Sequence, residues 1–160
     1  MSISEEFLPY RAASFIGFRD LLNCLPDEGE SVMQRMEIYG ETSAKLFEIF
    51  RSPGLEVSEK KEPPVLVAGA INCLAACFWD GIGSKDANID NANALELSTT
   101  LKEVGGSKQP AWTVREASAI CMAELAAKCH RDVLRQPSLV STMVTCATGW
   151  LKDRKFWKVR

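Results

Sequence analysis

Apolar residues recur three and four positions apart along most of this chain, and no stretch shows the two-residue alternation, bounded by hairpin turns, that marks strands. The first helical stretch runs from about Glu5 to Leu25 and stops before Pro26. Pro9 lies near enough to its start to belong to the first turn or to mark a break there. The second runs from about Glu30 to Arg51, with Val32, Met36, Tyr39, Leu46, Phe47 and Phe50 on one face. Gly40 weakens this helix without ending it. The third, about Val65 to Trp79, follows Pro63-Pro64 and is apolar nearly all round, so it needs cover on more than one side.

The second half continues the pattern. A shorter helix is predicted from about Ala94 to Val104, closed by Gly105-Gly106. A fifth follows Pro110 and extends from Trp112 to about Arg135, with Val114, Ala117, Ser118, Cys121 and Leu125 as its buried stripe. Pro137 interrupts before a sixth, about Ser138 to Lys152, whose apolar face is predicted at Val140, Met143, Val144, Ala147, Trp150 and Leu151. Ser52-Pro53-Gly54 with the charged Leu55–Glu62 segment, and the polar Asp80–Asn93 segment, read as connectors. The fold class is therefore all-α.

The helix openings repeat. Trp112-Thr113-Val114-Arg115 returns as Trp157-Lys158-Val159-Arg160 45 positions later, and Arg115-Glu116-Ala117-Ser118 resembles Arg11-Ala12-Ala13-Ser14. Val67-Ala68-Gly69-Ala70 aligns with Val114-Arg115-Glu116-Ala117 at an offset of 47. A period of roughly 40–47 residues is that of helical-hairpin arrays. The residue types have a physical sense. Small side chains let a neighbouring helix come close, the valine seeds the buried face, and the arginine can reach an acidic group or helix C-terminal carbonyls in the adjacent repeat.

A polar turn, Trp/Val-Arg, small residues and then leucine at helical spacing resemble the HEAT family of the armadillo-like superfamily. The match is best over Trp112–Leu125, and Asp153 to Arg160 looks like the turn of a following unit. The residues that carry the resemblance are Arg11, Trp112, Val114, Arg115, Ala117, Asp153, Trp157, Val159 and Arg160. Two positions depart from it: Gly105–Pro110 stands where an Asp is expected before Trp112, and Ala68 replaces the arginine. The resemblance implies a right-handed α-solenoid of antiparallel helix pairs, incomplete at both ends. Its units would be 1–26 (the second helix of a pair), 30–80, 92–135 and a truncated 138–160. Ala111–Cys129 and Trp150–Arg160 look most like the very large HEAT scaffolds that bind the proteasome. That implies a non-enzymatic adaptor with other proteins, proteasome particles among them, as partners. Transport or cytoskeletal adaptors of HEAT type are the alternative.

Composition narrows the partners. At 46% apolar and 25% charged residues, the chain can bury a core rather than stay disordered. A net charge of −2, from 19 basic and 21 acidic residues, gives no electrostatic case for nucleic acid as the main partner, because duplex binding needs a concentrated basic face, so nucleic acid is not expected. No apolar run approaches the roughly 18 residues of a membrane span. Met1–Leu8 is acidic and lacks the order of a signal peptide, which points to the cytoplasm, and to the nucleus besides. Six cysteines, mostly inside apolar helical patterns, read as small buried hydrophobes in a reducing compartment.

Each candidate for chemistry has a plainer reading. Cys73 and Cys77, four apart on a helix, would make half of a metal site, but the other ligands are missing and the only histidine is His130. A compact helical domain binding a ligand or metal through this Cys-rich helix is the second functional reading. Asp86 to Asp90 starts like a calcium loop but has Asn91 and Leu97 at its sixth and twelfth positions. His130 has no nucleophile motif to serve, and Gly81-Ile82-Gly83 lacks the rest of a phosphate loop. No catalytic residue, cofactor or metal is assigned. Lys152, Arg154, Lys155, Lys158 and Arg160 with Phe156 and Trp157 read as a solvated turn with buried aromatics. The connectors at Leu55–Pro64 and Asp80–Asn93 are the better places for contacts, since insertions in repeat proteins fall in turns.

Overall fold

The computed structural model describes residues 8–26, 29–51, 63–82, 91–106, 109 and 111–152. Among them the chain is helical, with no strand. The helices are α1 (Leu8–Asn23), α2 (Glu30–Arg51), α3 (Pro64–Ala76), α4 (Asn91–Gly105), α5 (Trp112–Lys128), the short α6 (Arg131–Leu134) and α7 (Pro137–Leu151). No helix among the described residues is long and apolar enough to cross a membrane.

The all-round apolar character of α3 determines its place. It packs against α1, α2 and α5, and buries Leu66, Val67, Ala68, Ala70, Ile71, Cys73, Leu74 and Ala75. Each fully buried Leu, Ile or Val stabilises the fold by roughly 1.5–3 kcal/mol relative to exposure. α1 and α5 thus flank α3, while α2 backs α3 and α4 backs α5. α7 lies against both α4 and α5. The core runs through all of these contacts, with Phe78 meeting Tyr39 of α2 tilted at a centroid distance of 6.3 Å and Trp79 meeting it edge-on at 5.9 Å.

Small residues set two of the closest approaches. A Cβ at Gly69 would come within 3.0 Å of the Phe15 ring of α1. A Cβ at Gly105 would overlap both Cβ and Oγ of Ser118, so α4 can meet α5 there only because Gly105 lacks a side chain. The stripe predicted for α5, Val114, Ala117, Ser118, Cys121 and Leu125, is buried throughout.

Two expectations are corrected. The fifth helix does not continue to Arg135. It ends at Lys128, because Cys129 and His130 take extended backbone and pair with the segment after α3. Gly81 and Ile82 both donate their amides to the Lys128 carbonyl, at 2.8 and 3.1 Å, and Ile82 accepts from the His130 amide at 2.8 Å. Gly81, at φ +91°, supplies the left-handed turn that brings Ile82 there. The Cys129 amide keeps its helical bond to the Leu125 carbonyl at 2.9 Å, whereas the bonds to Gly81 and Ile82 replace those that the Lys128 carbonyl and the His130 amide give up, and no local breaker announces them.

The face of α7 is the second correction. Its buried residues are Leu139, Cys146 and Trp150, with Met143 half-buried between them, while Val140, Val144, Ala147 and Leu151 are exposed. Apolar residues surround much of this helix, so spacing alone does not choose a side. The choice follows from the Trp150 indole, whose Nε1–H donates to the buried Gly105 carbonyl at 2.9 Å. Smaller differences lie at ends: α3 stops at Ala76, leaving Cys77, Phe78 and Trp79 buried beyond it, and α4 starts at Asn91.

Candidate functional site

The residues singled out by the repeat have mainly structural surroundings. Arg11 is half-buried on α1, and Trp112 opens α5, also half-buried. Val114 and Ala117 are core residues. Arg115 is 4% exposed, and its Nη1 donates to the Gln109 carbonyl in the turn before its own helix. The Gln109 side chain braces the same turn, donating to the Val104 carbonyl at 3.0 Å and accepting from the Ala111 amide at 3.2 Å. Asp153, Trp157, Val159 and Arg160 lie outside the described residues, as do Asp86–Asp90 and most of the two connectors.

Arg35 of α2 is the residue that periodicity did not single out. It is 4% exposed, and its guanidinium spans the ends of two other helices. Nη2 donates to the carbonyls of Leu22 and Leu25, at 2.8 and 2.7 Å, and Nη1 to that of Ala76, at 2.5 Å. Helix C-termini carry unpaired carbonyls and partial negative charge, so one buried cation satisfies α1 and α3 together. A signal was present in the sequence: Arg35 falls three residues after Val32 and four before Tyr39, inside the apolar stripe.

Arg35 also closes one end of a groove of about 450 Å³. α3, which lies between α1 and α5, contributes Asn72, Ala75 and Ala76 to the floor. Arg19 and Asn23 of α1 form one wall, and Ile120, Glu124 and Lys128 of α5, at successive four-residue steps, form the other. The lining holds three cations (Arg19, Arg35 and Lys128) and one carboxylate (Glu124). Arg19 pairs with Asp20 at 2.8 Å and Lys128 with Asp80 at 3.5 Å. Those two acids are 59% and 70% exposed and are not part of the lining.

The cysteines are arranged as a core, not as a reactive centre. All six are free thiols; Cys24 is exposed and the other five are buried. Burial pushes the Cys73 thiol up to about 12 and those of Cys77 and Cys129 up to about 11, and raises Cys121 and Cys146 as well. Protonated thiols are poor nucleophiles and poor metal ligands. Two of them donate to carbonyls instead, Cys73 to Phe15 at 3.1 Å and Cys77 to Cys73 at 3.3 Å. Among the described residues, no three His, Cys, Asp or Glu side chains converge as a metal site would require. His130 caps α6, its Nδ1 accepting the Asp132 amide at 3.3 Å.

Neither a family model, nor a curated protein, nor a solved structure matches this chain.

Proposed function

We propose that the chain is a protein-binding scaffold segment, a right-handed α-solenoid of HEAT or armadillo type that acts without catalysis. The observation that carries this reading is the order of helix contacts: α1, α3 and α5 pack in sequence, α2 backs α3, and α4 backs α5. In stacked helical hairpins each unit buries its faces against the next, which produces this neighbour-to-neighbour pattern. The units are then α1, the pair α2–α3, the pair α4–α5 and the helix α7. The close approaches at Gly69 and Gly105 support it too, since they fall where units and pairs meet. The thiols held protonated by burial and the histidine committed to a helix cap support a binding role over a catalytic one.

Its partners are other proteins in the cytoplasm or nucleus, and proteasome particles are the first to test because the sequence resemblance implies them. The test is capture of interacting proteins by the tagged full chain, followed by reconstitution of the strongest candidate from purified components. A complex that survives gel filtration at defined stoichiometry is the expected result. A folded chain that forms no such complex with any captured protein overturns the scaffold reading.

A further inference from the structure

We infer that the groove over α3, between α1 and α5, is a docking site for a short acidic segment of a partner protein. This rests on the protein-binding reading and adds to it a place and a chemistry. The charge of the lining is the first argument. Arg19, Arg35 and Lys128 come from three different helices and converge on one concavity that holds a single carboxylate, Glu124. A cleft lined by one prevailing sign of charge, with protein walls, concentrates the field and attracts ligands of the opposite sign. The chain as a whole is slightly acidic, so this concentration is a local feature and not a reflection of composition.

The state of the wall cations is the second argument. Their acidic partners Asp20 and Asp80 are largely exposed, and the Arg19–Asp20 pair, open to solvent on both sides, contributes little to stability. A carboxylate entering the groove replaces Asp20 on Arg19 at little cost. The Lys128 side chain is only 19% exposed, so its charge is less screened by water than that of Arg19. Arg35, fixed by three carbonyls, contributes its charge from the end of the groove without moving.

Shape and apolar character select a peptide over a nucleic acid. A helix about 10 Å across fills about 420 Å³ per turn. A groove of about 450 Å³ therefore seats one helical turn or a few extended residues, not a long helix. Ile120, 49% exposed, and Leu25 offer apolar surface beside the charges. Phe78, the aromatic residue of the lining, is buried and presents no face on which a base can stack. The groove thus fits acidic residues flanking an aliphatic one.

Fluorescence anisotropy of the full chain with a labelled nonapeptide of alternating Glu and Leu tests this. The probes for comparison are its Gln/Leu counterpart and a single-stranded RNA of equal charge. The acidic peptide is expected to bind saturably and at least tenfold more tightly than the Gln/Leu peptide, and to weaken with salt. Arg19→Glu with Lys128→Glu is expected to reduce binding at least tenfold, while Lys45→Glu on the exposed face of α2 leaves it unchanged. The milder pair Arg19→Gln and Lys128→Gln, checked by circular dichroism, separates loss of charge from loss of fold. No saturable binding, an equal loss in the Lys45→Glu control, or tighter binding of the RNA overturns the proposal. If a reconstituted protein complex persists when Arg19 and Lys128 are replaced, the groove assignment falls and the scaffold reading stands.

Discussion

Two junctions in this molecule solve the same problem with opposite chemistry. Where α1 and α3 end, their carbonyls are taken up by a charge, the Arg35 guanidinium, brought in from α2. Where α4 ends, the Val104 carbonyl accepts from the neutral amide of Gln109 and the Gly105 carbonyl from the neutral indole of Trp150. The first junction tolerates separation between helices, because a long arginine bridges them. The second permits almost none, because the Gly105 backbone lies directly on Ser118. One is a charge-assisted clamp and the other a contact of shape, so they should fail in different ways.

The largest effect is expected at the clamp. Arg35→Ala leaves three carbonyls without their cation and is expected to cost about 3–5 kcal/mol in denaturant unfolding. Arg35→Lys keeps the charge but lacks the planar fork, so it should recover only part of that loss. A loss below about 1 kcal/mol for Arg35→Ala would remove the clamp from the comparison. At the shape-limited junction, Gly105→Ala is expected to cost about 2–3 kcal/mol through overpacking. Combining it with Ser118→Gly should restore most of the loss, and strictly additive losses would show that the two residues do not limit the approach.

Arg115 is intermediate, a buried cation bound to a nearby turn. Arg115→Ala should lower stability by about 1–3 kcal/mol, and a loss no larger than that of an exposed substitution would assign it no such role. Trp150→Phe removes one buried neutral hydrogen bond while keeping most of the ring, for a loss of about 1 kcal/mol. Equal effects at Arg35 and Trp150 would erase the distinction between charged and neutral capping.

The thiols, which lie on both sides of the comparison, call for the smallest perturbation. One thiol per chain, Cys24, should react rapidly with a disulfide reagent at neutral pH, and the five buried ones only as the chain unfolds. Their pH effect has a definite sign. Unfolded cysteines titrate at about 8.5, whereas burial lifts Cys77 and Cys129 to about 11 and Cys73 to about 12. Between about pH 9 and 12 the native state therefore holds more protons, and stability falls as pH rises through that window. Thermal unfolding across that range checks the slope; a midpoint that stays flat would contradict it.

Helix placement was legible because it depends on local rules. Apolar spacing, Pro26, Pro64 and Pro137 at helix boundaries, and Gly105-Gly106 located the described ends of the long helices to within a few residues, except the end of α5. The close packing of small residues at Ser118 was also legible as a type of contact, although its partner Gly105 was not. The break after Lys128 escaped because its cause, the backbone of Ile82, lies 46 residues earlier in the chain. The groove escaped for the same reason, since Arg19, Asn72 and Lys128 have no common period.

Sequence by itself determined that the chain folds as helices, where most of them run, and which face α5 buries, because hydrogen bonding within a helix and the 3.6-residue period are local. Only the tertiary structure decided which side of α7 turns inward, that a buried arginine on α2 closes the ends of α1 and α3, and that three cations meet over α3. Those outcomes depend on groups far apart in the chain, whose desolvation and hydrogen bonding are settled only when the helices pack.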